Sequence, residues 1–298
     1  ITMENILSDV KILRKPEFET VRYNTKLSFI PSERNLVSVI RNIDQSYRSA
    51  ESDVLFNYIF EWGEAKDSYT AEHPKRLSFT DNIEYINDGG NDLVRLINEN
   101  KMIPAYYASS GVQSAMPLDV MADYFTGLVG KNASVSKHDL ANTLARYLGK
   151  DKELTNEMLK SISNKMKYQS VQLFIEEPEQ NLYPDSQRNL TINLVCALKQ
   201  AMPKGRGDSL LVMTTHSPYI LSTLNVLIAE AYAMDAKPKS DKLRNIVNKE
   251  CLFPLSAYSA YYIQEDGKFA DIIDKDITMI SGNELDGVSD WVDDKIAR

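Results

Sequence analysis

Val171-Gln172-Leu173-Phe174-Ile175-Glu176-Glu177-Pro178-Glu179 is the stretch on which the reading of this chain turns. A short apolar run ends in two carboxylates, and Pro178 stops it. Such a run, bounded by a breaker, predicts a strand buried on both faces. A helix is predicted over 184–202, then a flexible loop at 204–208. Leu210-Leu211-Val212-Met213-Thr214 predicts a second buried strand, which runs into Thr215-His216-Ser217-Pro218. From Tyr219 the pattern is helical again. Strand, helix, strand, helix with apolar strands implies parallel pairing through right-handed crossovers. Ligands of such sheets sit beyond the carboxyl ends of the strands. That edge carries Glu176, Glu177 and His216. Adjacent carboxylates suit a hydrated divalent cation and a general base acting on phosphate. A strand-end histidine can hydrogen-bond a phosphoryl oxygen. Taken singly, the acids could merely solvate a strand end, and His216 could cap a helix with Ser217. On consecutive βα units they point to a site.

Outward from this core, 26–30 predicts a strand that Pro31 ends, followed by the loop Pro31-Ser32-Glu33-Arg34-Asn35. Val39, Ile40, Ile43, Tyr47, Leu55, Tyr58, Ile59 and Trp62 recur at three- and four-residue steps, predicting two helices broken near 49–52. Residues 66–81 read as polar loop. Strands are predicted at 83–86, 93–97 and 103–107, the first two around the turn Asp88-Gly89-Gly90. Ala108-Ser109-Ser110-Gly111 then opens a helix over about 112–128. Further helices are predicted at 136–148, 154–166, 237–248 and from 283. Two more strands are predicted at 260–264 and 269–273.

Composition narrows the function. The 298 residues are 43% hydrophobic and 26% charged, which supports a packed core and argues against wholesale disorder. A net charge of −8 excludes a generally cationic nucleic-acid coat, though not a local basic patch. The short cluster Lys237, Lys239, Lys242 and Arg244 reads as a solvated helix face. Three histidines are too few for a multi-histidine metal centre or an HNH nuclease. His73 and His138 read as surface residues, Trp62 and Trp291 as packing residues. Cys196 and Cys251 lie in unrelated contexts, predicting no disulfide and no zinc site, with Cys196 a core thiol. No run approaches the roughly 18 apolar residues of a membrane helix. The opening residues lack a signal-peptide pattern, so the expected location is cytoplasmic.

The motifs carry a family resemblance. Leu173-Phe174-Ile175-Glu176-Glu177-Pro178-Glu179 with Asn181-Leu182-Tyr183-Pro184 resembles the Walker B segment and D-loop of ABC-type ATPase heads. It is most like the branch of OLD-family and SMC-like prokaryotic ATPases. Thr214-Thr215-His216-Ser217-Pro218 is similar to their switch histidine. Ala108-Ser109-Ser110-Gly111-Val112-Gln113-Ser114 resembles their signature motif, with Val112 where a second glycine is commoner. Phe29-Ile30-Pro31-Ser32-Glu33-Arg34 is similar to the segment in the Q-loop region. The resemblance implies an α/β fold: a P-loop NTPase, ABC-type head with a mostly parallel sheet, an antiparallel β meander and a helical signature subdomain. It implies four segments: an N-terminal lobe remainder (1–107), the signature subdomain (108–168), the Walker B and histidine core (169–235) and a C-terminal α/β extension (236–298).

The same resemblance implies ATP hydrolysis with Mg²⁺ in a homodimer that sandwiches two ATPs. Glu177 would be the catalytic base, Glu176 the Mg²⁺-side acid and His216 the γ-phosphate contact. Ser109, Ser110, Gly111 and Gln113 would bind the partner's nucleotide, with Arg34 and Asn181 beside the site. Gly111 is expected on an exposed helix start, well away from Glu177 of its own chain, so that an arginine there would block dimerisation without unfolding. Repair, anti-phage defence or toxin control is the implied setting, with an effector nuclease or toxin as partner. DNA binding is left open and is not indicated by the charge; no membrane association is expected. The departure is the phosphate loop: no Gly-x-x-x-x-Gly-Lys-Ser/Thr exists in these residues. Gly130-Lys131-Asn132 and Gly149-Lys150-Asp151 have neither the spacing nor the hydroxyl. The expectation is that a preceding lobe or another chain supplies the loop, and that the chain alone is inactive. A non-catalytic scaffold and the ATPase part of a nuclease system are the alternatives. A Toprim nuclease within 250–298 is not supported, because Glu265, Asp266, Asp293 and Asp294 have the wrong spacing.

Overall fold

The computed structural model describes residues 24–40, 43, 53–131, 167–205, 208–237 and 249–282. The helices expected at 136–148, 154–166, 238–248 and from 283, the break near 49–52, His138 and Trp291 lie outside the described residues.

The parallel reading of the sequence holds at the centre. β1 (Thr25–Ile30), β6 (Ser170–Glu176) and β7 (Leu210–Thr214) form a three-stranded parallel sheet in the order β1-β6-β7. Ile30 pairs with Ile175, and Glu176 with Thr214. Between β1 and β6 come a 3-10 turn (Ser32–Asn35), α1 (Leu36–Val39) and α2 (Val54–Lys66). A four-stranded antiparallel meander follows: β2 (Lys75–Arg76), β3 (Ile83–Asp88), β4 (Asn91–Leu96) and β5 (Lys101–Pro104). The β3–β4 turn uses Gly89 and Gly90 at φ of 57° and 94°, the left-handed pair that a two-residue hairpin needs. α3 (Ser110–Leu128) leads toward β6, α4 (Pro184–Ala201) crosses from β6 to β7, and α5 (Pro218–Ala236) follows β7. Two small hairpins close the described chain: β8 (Tyr261–Ile263) with β9 (Phe269–Asp271), and β10 (Ile273–Asp274) with β11 (Met279–Ile280).

The expected loop at 66–81 is not wholly loop. Lys75 and Arg76 pair with β3. Two residues are too short a run to show a period. Their place is fixed instead by burial of Leu77 and Phe79 and by an ion network on α3 centred on the buried Asp119. Asp119 Oδ2 accepts from the Ser78 amide at 2.5 Å, and Oδ1 from Asn193 Nδ2 at 3.0 Å. Lys75 Nζ lies 3.6 Å from Asp119 and 3.1 Å from Asp123. Burial pushes the Asp119 carboxyl up, and Lys75 and Ser78 pull against it. Burial would lower Lys75, but Asp119 and Asp123 outweigh it and hold the ammonium above its usual range. A raised lysine adds stability that is complete below about pH 10 and lost as pH rises past its folded value.

The core runs through Ile30, Trp62, Tyr85, Met116, Phe125 and Leu173 without a break between the sheets. Lys26 and Ser28 of β1 face this core and are satisfied by one carboxylate, Glu61 of α2, at 2.6 and 2.5 Å. The other face of the parallel sheet carries Leu27, Phe29, Phe174, Leu210 and Val212. There Leu27 is 57% exposed and Leu210 45%. Both connections step the same way across the sheet, so right-handed crossovers place their helices on one side. Among the described residues, the second face stays uncovered.

Cys196 and Cys251 correct the expectation of unrelated thiols. The turn at Lys249–Cys251 packs on α4, and the two sulfurs meet as a disulfide across 55 residues of sequence. Lys199 donates to the Leu252 carbonyl beside them. That contact is long-range and leaves no local pattern.

Asp119→Asn puts an amide donor against the Ser78 and Asn193 donors. It should lower stability by about 1–3 kcal/mol, read by denaturant unfolding, and an unchanged midpoint would refute the network.

Candidate functional site

The carboxyl edge of the parallel sheet gathers the predicted strand-end residues. Glu176 closes β6 opposite Thr214, and the Glu177 amide donates to the Thr214 carbonyl at 2.9 Å. His216 follows two residues later and is exposed. Its amide donates to Glu179 Oε1 at 2.7 Å. Glu179 thus ties the turn after β6 to the turn after β7. In the sequence Glu179 carries no signal for this role beyond its place one residue past Pro178. Ser217, not His216, caps α5: its Oγ accepts from the Tyr219 amide at 3.1 Å and donates to Gln187 Oε1 at 2.6 Å. The His216 side chain is therefore not spent on capping.

The two adjacent acids are held differently. Glu176 Oε2 accepts from the Ser32 amide at 3.1 Å. Glu177 sits at φ +43°, a left-handed conformation that a non-glycine residue adopts at a cost of about 1–3 kcal/mol. Asn181, at φ +60°, repeats that conformation at the end of the turn, where asparagine is better tolerated. No group of three or more His, Cys, Asp or Glu able to hold a metal exists among the described residues. A cation here would take one or two carboxylate oxygens and fill its shell with water and substrate oxygen, a donor set that fits Mg²⁺.

Arg34 lies in the interior. Its guanidinium is fully buried. Nε donates to the Ser114 carbonyl at 2.8 Å. Nη1 donates to Glu176 O at 2.7 Å and Pro31 O at 3.3 Å, and Nη2 to Glu177 O at 2.7 Å. Burial lowers its pKa, opposed by Tyr58 and by the carboxylates of Glu179, Glu177 and Glu176.

The predicted signature residues stand at the start of α3. Ser109 is the N-cap, its Oγ accepting from the Val112 amide at 3.4 Å. Ser109 and Ser110 are exposed, and Gly111 is half-buried. Gln113 turns inward, donating from Nε2 to Tyr106 O at 2.9 Å. Gly111 lies against the turn that follows Glu177 in its own chain. A Cβ on Gly111 would stand 2.8 Å from the Asn181 carbonyl oxygen. Asn181 Nδ2 also donates to Ser114 Oγ at 2.8 Å. Glycine at 111 therefore serves a close backbone approach inside its own chain. An arginine there would disturb the monomer before any partner met it.

The comparisons with known proteins bear on this edge. Residues 172–222 match the family model described as "AAA domain, putative AbiEii toxin, Type IV TA system". The matched span holds both strand ends and the helix between them. At this level the chain is similar to P-loop AAA-type ATPases, and its mixed α/β fold with a parallel sheet agrees with them. No curated protein and no solved structure gives a significant match. No helix among the described residues is long and apolar enough to cross a membrane.

Because Glu177 is held at positive φ, Glu177→Gly should be more stable than Glu177→Ala by about 0.5–1 kcal/mol. Equal thermal midpoints would show that the backbone is not strained there. Gly111→Ala should cost about 1–3 kcal/mol, because the clash is with backbone; a neutral result would remove the close approach.

Proposed function

We propose that this chain is part of an ATP-hydrolysing, ABC-type head of the OLD/SMC-like branch. The observation that carries the reading is the strand-end cluster: Glu176, Glu177 and His216 on adjacent parallel strands, within the span similar to AAA-type ATPases. Glu177 accepts the proton of the water that attacks the γ-phosphorus as the bond to the β-phosphate oxygen breaks. Glu176, oriented by the Ser32 amide, holds the Mg²⁺ side. Mg²⁺, when bound, neutralises charge on the phosphate oxygens. His216 donates to a γ-phosphate oxygen.

The start of α3 acts on a nucleotide held by a second copy. The Ser110 and Gly111 amides have no hydrogen-bond partner among the described residues, and a helix N-terminus favours an anion. Close packing of Gly111 on Asn181 links that helix start to the turn after Glu177. Nucleotide at one site is then felt at the other. The phosphate loop comes from outside these 298 residues. The apolar face of the parallel sheet that is uncovered among the described residues offers a place for such a unit to pack. Repair, anti-phage defence or toxin control is the setting, the last in keeping with the toxin–antitoxin description of the matched family. A nuclease or toxin is the effector partner. The absent loop favours a second reading, a scaffold that keeps the fold and binds a partner without turnover.

In the protein completed by its phosphate loop, Glu177→Gln should abolish turnover while ATP binding and ATP-dependent dimerisation persist. Phosphate release and sizing with ATP read the two outcomes. Near-normal hydrolysis rejects the base; no ATP binding by the wild type favours the scaffold.

A further inference from the structure

Arg34 makes four hydrogen bonds to backbone carbonyls at this edge and has no part in the chemistry proposed above. Its acceptors are backbone carbonyls on α3 (Ser114), at the end of β6 (Glu176), at the strained residue after it (Glu177) and in its own turn (Pro31). A guanidinium has five N–H donors in a rigid plane, and this geometry fixes three segments relative to one another. The backbone it grips at Glu177 is the one held at positive φ.

α3 is built to accept this grip. Pro117 lies inside the helix and has no N–H. The Gln113 carbonyl, four residues earlier, therefore loses its helical donor. Ser38 Oγ replaces it at 2.9 Å. Arg34 Nε reaches the next carbonyl, Ser114. Ser38 and Arg34 are only four residues apart, and Tyr58 anchors their backbone by donating to Arg34 O at 2.6 Å. The proline thus opens one turn of α3 to a bracket made by residues 31–38.

We propose that Arg34 is a positioning residue that couples the first turns of α3 to the backbone of Glu176 and Glu177. Movement of the α3 start then shifts the carboxylate that acts on water. This deepens the ATPase reading and rests on it for the catalytic consequence, but the mechanical coupling stands or falls separately. A misplacement of about 1 Å at a reacting group can cost on the order of 100-fold in rate.

Arg34→Lys keeps the charge and cannot span three segments. Amide hydrogen exchange and ATP turnover are measured on the protein completed by its phosphate loop. Exchange should rise about tenfold or more in both 109–118 and 176–182, with 83–96 unchanged. The kcat should fall about 10–100-fold, with KM for ATP within about threefold. Loosening of only one segment, or a raised KM with unchanged kcat, overturns the proposal. Should Arg34→Lys not fold, Tyr58→Phe removes the hydrogen bond that anchors the Arg34 backbone and lets the guanidinium shift from its acceptors. It should produce the same paired rise, and its absence is equally fatal. If the wild type shows no turnover, the ATPase reading fails, while the paired exchange response still decides the coupling.

Discussion

The Arg34 guanidinium donates to backbone carbonyls of the β1 turn, α3 and the end of β6 from a position closed to water. Removing such a charge from water costs several kcal/mol unless its donors are met. Here carbonyls meet four of the five N–H groups, at least one on each nitrogen, and the field of Glu176, Glu177 and Glu179 adds to the compensation. The arrangement is satisfied only when β1 lies beside β6, when the turn after Pro31 folds back, and when α3 crosses at Ser114. The β1–β6 pairing, the α3 packing and the placement of the two acids are all tied to that one requirement. An empty place for any of these segments would leave donors buried without acceptors.

Much of this fold is legible in the sequence, for a physical reason. β6 and β7 are apolar along their length and so declare themselves without a period, but β7 is not the buried strand that such a run predicts: Leu210, Val212 and Thr214 are exposed among the described residues. The Gly89-Gly90 turn likewise declares the β3–β4 hairpin. Ser109 caps α3, so the helix begins at Ser110, two residues before its apolar spacing becomes visible. The predicted strand at 103–107 stops at Pro104, because 105–107 wind into a 3-10 turn toward that cap.

What the sequence hides are contacts between distant residues. Arg34 sits in a Pro-Ser-Glu-Arg-Asn run, which reads as solvated loop. Its burial depends on acceptors about 80 and 140 residues later. Gly111 reads as a phosphate-facing glycine, yet the atom it must avoid is the Asn181 carbonyl oxygen. The β2 pairing and the meeting of Cys196 with Cys251 have the same character. At the candidate site, backbone strain at Glu177 and a helix start at Ser110 without a hydrogen-bond partner among the described residues stand beside the buried, carbonyl-bonded Arg34. Strain of this kind persists only where surrounding bonds over-determine it.

The most direct test of the account is a structure of the protein completed by its phosphate loop, with Mg²⁺ and a non-hydrolysable ATP analogue. The account predicts the γ-phosphate at the carboxyl edge of β6 and β7. Glu176 should be on the metal side, Glu177 on the attacking water, and His216 on a phosphate oxygen. The Ser110 and Gly111 amides of a second copy should face the same phosphate. Nucleotide bound elsewhere, or a γ-phosphate out of reach of Glu177 and His216, would contradict it.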